Sequence, residues 1–189
     1  MHVKSELRKQ FRKMRKDLSN KDIKDCSICN QVLESDLFKK SNQILCYYPL
    51  EDEINTLPII ETALKQEKKV ALPYCVDDNG NMEFYYIQSL DDLKIGSYDI
   101  MEPDILNCEK VNDFHSSLCI VPAFSFDKNG FRLGYGKGYY DRFLKKFTFN
   151  SIGLCYNNFL SDKLPADAYD MAVQYIATED KIILCKEVK

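Results

Sequence analysis

The sequence predicts one α/β domain, a three-layer α/β/α sandwich on a mostly parallel central sheet. Three observations carry this. Short runs of β-forming residues alternate with helical patterns along the chain. "ILCYYP" at 44 to 49 and "VALPYC" at 70 to 75 bracket a helical stretch, which is a βαβ signature. "LCIVPAFSF" at 118 to 126 is a continuous apolar run of the kind a buried parallel strand requires. A length of 189 residues suits one well-buried core and is short for two, so residues 1 to 189 are expected to form a single domain.

The elements follow in order. Leu7, Phe11, Met14 and Leu18 recur at spacings of three and four, one apolar stripe on a helix over residues 5 to 18. Lys4, Arg8, Arg12 and Arg15 repeat with the same period, a basic ridge beside that stripe. Ser19 reads as the N-cap of a second helix, with Asp22 completing a variant capping box and the helix running to about Phe38. After the 44 to 49 strand comes the capped helix in "NTLPIIETALKQEKK", then the 70 to 75 strand. "NMEFYYIQ" is a further strand after the turn "DDNG". The 118 to 126 run turns at "DKNG" into a short strand "FRL", and a helix starts near Gly138. "SIGLCY", "VQYIAT" and "KIILC" are the closing strands.

Composition removes several function classes. A formal net charge of −3 argues against broad nucleic-acid binding, while the basic first sixteen residues make a local positive patch suited to a small anionic molecule. The N-terminal stretch lacks an apolar signal core and no segment reaches eighteen consecutive apolar residues, so a cytoplasmic protein is expected, with no membrane span. The eight cysteines mostly sit singly in apolar runs, as reduced core thiols do. Cys26 and Cys29 form a C-x-x-C without a second pair or a placed histidine, which does not make a zinc site.

The stretch "GFRLGYGKGYYDRFL" at 130 to 144 carries the chemistry. Gly134, Gly136 and Gly138 alternate, which suits a chain passing close to a ligand or taking positive φ. A helix starting near Gly138 would aim free N–H groups back into this loop, and Lys137 could neutralise a phosphate. The spacing matches neither the P-loop, because Phe131 stands at its first glycine, nor the dinucleotide fingerprint. On the residues alone, an anion cradle and a structural turn both remain open. Tyr139 and Tyr140 suit stacking on a planar ring or filling core space equally.

Together these segments closely resemble the 5-formyltetrahydrofolate cyclo-ligase family. The resemblance runs through "KSELRKQFRKMRKDLS" at 4 to 19, "YPLEDEINT" at 48 to 56, "VPAFSFDKNGFRLGYGKGYYDRFL" at 121 to 144, "IGLCYNNF" and "LPADAYDMAVQYIATE". It covers nearly the whole chain and implies a Rossmann-like sandwich. The implied reaction is ATP-dependent closure of 5-formyltetrahydrofolate to 5,10-methenyltetrahydrofolate, with Mg²⁺ as cofactor, ADP and phosphate as products, and a phosphorylated formyl intermediate.

The resemblance also implies roles for particular residues. Nucleotide contacts fall on Lys4, Ser5, Glu6, Leu7 and Arg8, and on Arg132, Leu133, Gly134, Tyr135, Gly136, Lys137, Gly138, Tyr139 and Tyr140. Folate contacts fall on Arg8, Leu50, Glu53 and Asn55, and on Tyr135 through Tyr139. Arg8, Lys137 and Tyr139 are the implied catalytic groups, and Asp141 and Asp170 the magnesium ligands. Many relatives have an acid in place of Asn55, and some have arginine in place of Tyr135 and glycine in place of Lys137. Without the resemblance, Lys4 and Arg8 read as a solvated charge run, Glu53 and Asp141 as helix-start charges, and Asp170 as a turn residue. The expected partners are a reduced folate, polyglutamylated or not, and ATP, bound by a monomer. Other functions weighed are a non-catalytic folate-binding module and a sugar-phosphate isomerase-like enzyme on a related scaffold.

Overall fold

The computed structural model describes residues 2–96 and 99–186. The apolar stripe forms α1 (His2–Lys16), with Phe11 buried and Leu7, Met14 and Leu18 packed on the core. α2 (Lys21–Glu34) begins differently from expectation. Asn20 is its N-cap, in the left-handed region at φ 55°, and makes no side-chain cap, so the Ser19–Asp22 box does not form. The helix also stops short of Phe38. Ser35 is extended, ends α2, and caps the short α3 (Asp36–Lys40) by accepting from the Phe38 N–H.

The βαβ unit is present as β1 (Gln43–Leu45), α4 (Leu57–Lys65) and β2 (Lys69–Cys75). β3 (Met82–Ile87) returns antiparallel along β2. A hairpin absent from the sequence reading, β4 (Leu93–Ile95) with β5 (Met101–Pro103), follows. The run at 118 to 126 is not one strand. β6 (Ser117–Val121) ends before Pro122, which has no N–H for a ladder. The chain then leaves the main sheet for β7 (Ser125–Asp127), which pairs with β8 (Arg132–Leu133) and β10 (Leu160–Ser161) in a separate three-stranded sheet. α5 (Tyr139–Lys146) leads to β9 (Asn150–Leu154), and β11 (Tyr175–Ala177) and β12 (Ile182–Leu184) close the fold.

The seven-stranded sheet has the order β12-β11-β9-β6-β1-β2-β3, parallel throughout except at its two edge strands. β1, β6 and most of β9 are buried on both faces, as a parallel sheet between helices demands. The chain moves from β1 to β2 in one direction along the sheet and from β6 to β9 in the other. Right-handed crossovers therefore put α4 and α5 on opposite faces, which gives the predicted three layers. The order reverses between β1 and β6, so the crevice beyond their carboxyl ends is where an open α/β sheet holds a ligand. Among the described residues, no helix is long and apolar enough to cross a membrane.

Candidate active site

Two segments flank that crevice, the one after β1 and the one after β6, and they meet through side chains. Tyr135 donates its hydroxyl to Glu53 Oε1 at 2.9 Å, and the Leu50 N–H donates to Glu53 Oε2 at 3.0 Å. Glu53 is buried, and that burial holds its acid above the ordinary carboxylate range against the pull of the Leu50 N–H, the Tyr135 hydroxyl and Arg15. α1 lies over this pair. Arg15 is 7% exposed, donates Nη2 to the Ala123 carbonyl, reaches within 3.8 Å of Asp52, and sits 4.6 Å from the Phe124 ring centre. Its Nε has no partner among the described residues.

The glycine loop wraps the same helix. Arg8 donates Nε to the Gly134 carbonyl at 2.8 Å. Its guanidinium lies so close to Gly136 that a Cβ there would be 3.1 Å from Cζ, and Gly136 has φ 101°. Gly138, at φ 76°, is the N-cap of α5 and offers no side-chain acceptor to the first turn. The helix start is thus free of a side-chain cap, with Asp141 as the acid in its first turn and Arg8 seated two to four residues earlier, on Gly134 and Gly136. Tyr139 spans to the turn after β2, donating its hydroxyl to the Asp77 carbonyl at 2.7 Å.

A carboxylate cluster borders the loop on its other side. Lys4 Nζ bridges Asp167 at 2.7 Å and Asp170 at 2.6 Å. Burial lowers the Lys4 pKa, but its two carboxylate partners outweigh this and leave it raised. Asp141 Oδ1 accepts from Arg132 Nη2 at 2.8 Å and, at 3.0 Å, from the N–H of Met171, the residue that follows Asp170. Both carboxylates are hard oxygen donors, the type Mg²⁺ takes together with phosphate oxygens and water. Each is also neutralised by a cation here, and among the described residues no group of three or more metal-binding side chains exists. The two carboxylates are of the right chemical type for such an ion but do not form a complete cage by themselves.

A switch-point crevice walled by a basic helix and a glycine loop narrows the chemistry, and comparison with known proteins decides the family. Residues 1–179 match the model of the 5-formyltetrahydrofolate cyclo-ligase family. The chain belongs to this family. The probable 5-formyltetrahydrofolate cyclo-ligase of Schizosaccharomyces pombe is 29% identical over 178 residues, which are 86% of this chain and 87% of that protein. The mitochondrial 5-formyltetrahydrofolate cyclo-ligase of Arabidopsis thaliana is 32% identical over 163 residues, 77% of this chain and 57% of that one. The NMR structure of 5,10-methenyltetrahydrofolate synthetase from Aquifex aeolicus matches with a TM-score of 0.85 at 32% identity, covering 99% of this chain and 95% of that chain. The cyclo-ligase family is one of enzymes, and the mostly parallel sheet described above is its fold.

Beside Lys4, Leu50, Asp141 and Asp170, placed above, the residues implied by the cyclo-ligase resemblance fall into three groups. Arg8 meets Gly134 and Gly136, Tyr135 meets Glu53, and Lys137, Gly138 and Tyr139 continue the same loop into the start of α5. A second group is turned to structural tasks. The Arg132 side chain is nearly covered and clips β8 to Asp141 and to the Met171 carbonyl; Leu133 is core; Leu7 packs on the core. The Tyr140 hydroxyl is buried with no partner among the described residues, so of its two readings the structure takes the core one. Asn55 faces α2, its N–H on Asp25, while its Oδ1 accepts the Leu57 N–H at the start of α4. Ser5 and Glu6 form the third group, exposed on α1. No sequence pattern marks Arg15, Asp52, Phe124 or Asp167 as a site residue. The one signal for Arg15 was its place on the basic ridge, which a count of charges could not distinguish from solvated neighbours.

Proposed function

We propose that the protein joins ATP to 5-formyltetrahydrofolate in this crevice and closes the folate to 5,10-methenyltetrahydrofolate, releasing ADP and phosphate. The observation that carries the reading is the seating of Arg8 on the Gly134 carbonyl and against Gly136. It brings a cation of α1, the backbone of the glycine loop and the uncapped start of α5 to one place. Such a place suits a triphosphate, and the exposed ring of Tyr135 beside it suits a planar substrate.

In this reading the formyl oxygen attacks the γ-phosphorus, which turns a poor leaving group into a good one. N10 then closes on the activated carbon and phosphate departs. Arg8, Lys137 and the N–H groups of α5 stabilise phosphoryl charge, and Tyr139 holds the edge of the site through Asp77. Asp141 and Asp170 would hold Mg²⁺, which would supply further neutralisation of the phosphates. The protein works as a cytoplasmic monomer on small molecules, without nucleic acid or membrane, in keeping with its net charge of −3.

The test is direct. Purified protein given Mg·ATP and 5-formyltetrahydrofolate should develop the near-ultraviolet absorbance of the methenyl product, with one phosphate per turnover. Binding of the folate without any ATP-dependent spectral change would refute the proposal.

A further inference from the structure

One acid in the crevice is not used by phosphate binding. Glu53 is 4% exposed, so it cannot meet a substrate through open solvent. Tyr135 is more open: 42% of the residue's surface is exposed and its ring centre lies 4.6 Å from that of Phe124, while its part-buried hydroxyl is held neutral, its pKa pushed up chiefly by burial and then by Glu53. Its hydroxyl proton is given to Glu53 Oε1 at 2.9 Å. A phenol oxygen that donates inward keeps lone pairs for a donor on its other side. Tyr135 thereby connects the open crevice to a buried base.

We propose that Glu53, reached through Tyr135, accepts the N10 proton during ring closure and returns it to the departing phosphate. This rests on the reading of the site given above, in which the formyl oxygen has been phosphorylated. N10 attacks the iminium carbon, the N10–C bond forms, and the C=N5 electron pair moves to N5. The proton of N10 passes to Tyr135 Oη as the Tyr135 proton passes to Glu53 Oε1. The N5 pair then expels phosphate, breaking the C–O bond and forming the cationic N5–C–N10 system. The phosphate takes a proton from Tyr135, which recovers its own from Glu53. The N10 proton ends on phosphate, and both side chains return to their starting states.

The groups facing Glu53 fit this use. Arg15 from α1 favours the carboxylate, Asp52 beyond it opposes, and Tyr135 from the loop donates. Tyr47 from the segment after β1 and Tyr140 from α5 are buried phenols held neutral, their pKa values pushed up chiefly by burial. Burial moves Glu53 toward neutrality, the direction in which a carboxylate becomes a better base near neutral pH. Arg15, 3.5 Å from Tyr135 Oη and bound to the Ala123 carbonyl, is the positioning residue that holds the couple in line.

The experiment measures methenyl formation and ADP release across pH 5 to 9 for the wild-type protein, Glu53→Gln, Glu53→Asp and Tyr135→Phe. Glu53→Gln and Tyr135→Phe should each lower kcat on the order of 100-fold, with KM for 5-formyltetrahydrofolate within about threefold of wild type. In single turnover, ADP should still appear in a burst ahead of product. The acid limb of the kcat profile should vanish in Glu53→Gln and return in Glu53→Asp. If Glu53→Gln fails to fold by circular dichroism, Tyr135→Phe carries the same comparison, because its ring keeps the Phe124 contact. A raised KM with kcat and acid limb intact would overturn the relay and leave the site reading standing. No ATP-dependent product from the wild-type protein would overturn both.

Discussion

Replacing Gly136 with alanine isolates what the loop requires of its backbone. Gly136 sits at φ 101°, where side-chain-bearing residues are strained, at a cost of about 1–3 kcal/mol. The new Cβ would also stand 3.1 Å from the Arg8 guanidinium. That group is the end of a flexible side chain and can yield by a few tenths of an ångström, so the backbone term dominates. The expected loss is about 2 kcal/mol, which for a domain of this size lowers Tm by about 4–8 °C. Gly134 is the internal control, two residues earlier in the same loop. A Cβ there meets nothing within 4 Å and its φ is not positive, so Gly134→Ala should hold within about 0.5 kcal/mol of wild type. Scanning calorimetry of the three proteins at one pH decides. Equal losses from the two substitutions, or none from Gly136→Ala, would refute the argument from φ and the Arg8 contact.

Three further outcomes follow from other contacts. Lys4→Met removes the ammonium shared by Asp167 and Asp170; since Asp167 is largely exposed, the loss is about 1 kcal/mol, and amides of the first turns of α1 should exchange roughly fivefold faster. Unchanged exchange would mean the bridge does not hold the helix. Asp25, 4% exposed, accepts from the Tyr156 hydroxyl at 2.6 Å, Lys21 at 2.7 Å and the Asn55 N–H at 3.1 Å. Asp25→Ala strands these donors and should cost about 3–5 kcal/mol in urea unfolding, a loss under about 1 kcal/mol counting against the account. Glu53 has a folded pKa above its unfolded one, so the folded chain binds its proton more tightly, and stability falls as pH rises through that window. Glu53→Gln lacks this penalty, so its Tm relative to wild type should rise from pH 4 to pH 8, and the opposite slope would refute the sign.

The class of fold, the stripe of α1, the βαβ unit and the place of the glycine loop ahead of α5 are all legible in the amino-acid sequence. These are local matters, set by residue spacing of two or 3.6 and by where glycine and proline fall. The motifs also carried the family, because their order and spacing survive in the text of the chain. Tertiary structure decided how charges are used. Arg15 and Arg12 look alike on the ridge, yet Arg15 is buried under the Ala123 carbonyl and the Tyr135 hydroxyl while Arg12 remains exposed. The family resemblance implies separate nucleotide and metal roles for Lys4 and Asp170, yet they bind each other across 166 positions. Pro122 was visible, but that it diverts the chain into a second sheet depended on the β8 and β10 partners that receive β7. A side chain's period fixes the face it occupies; what lies opposite that face is fixed only by residues far away in the chain, and that is why the Glu53–Tyr135 couple could be found in no sequence window.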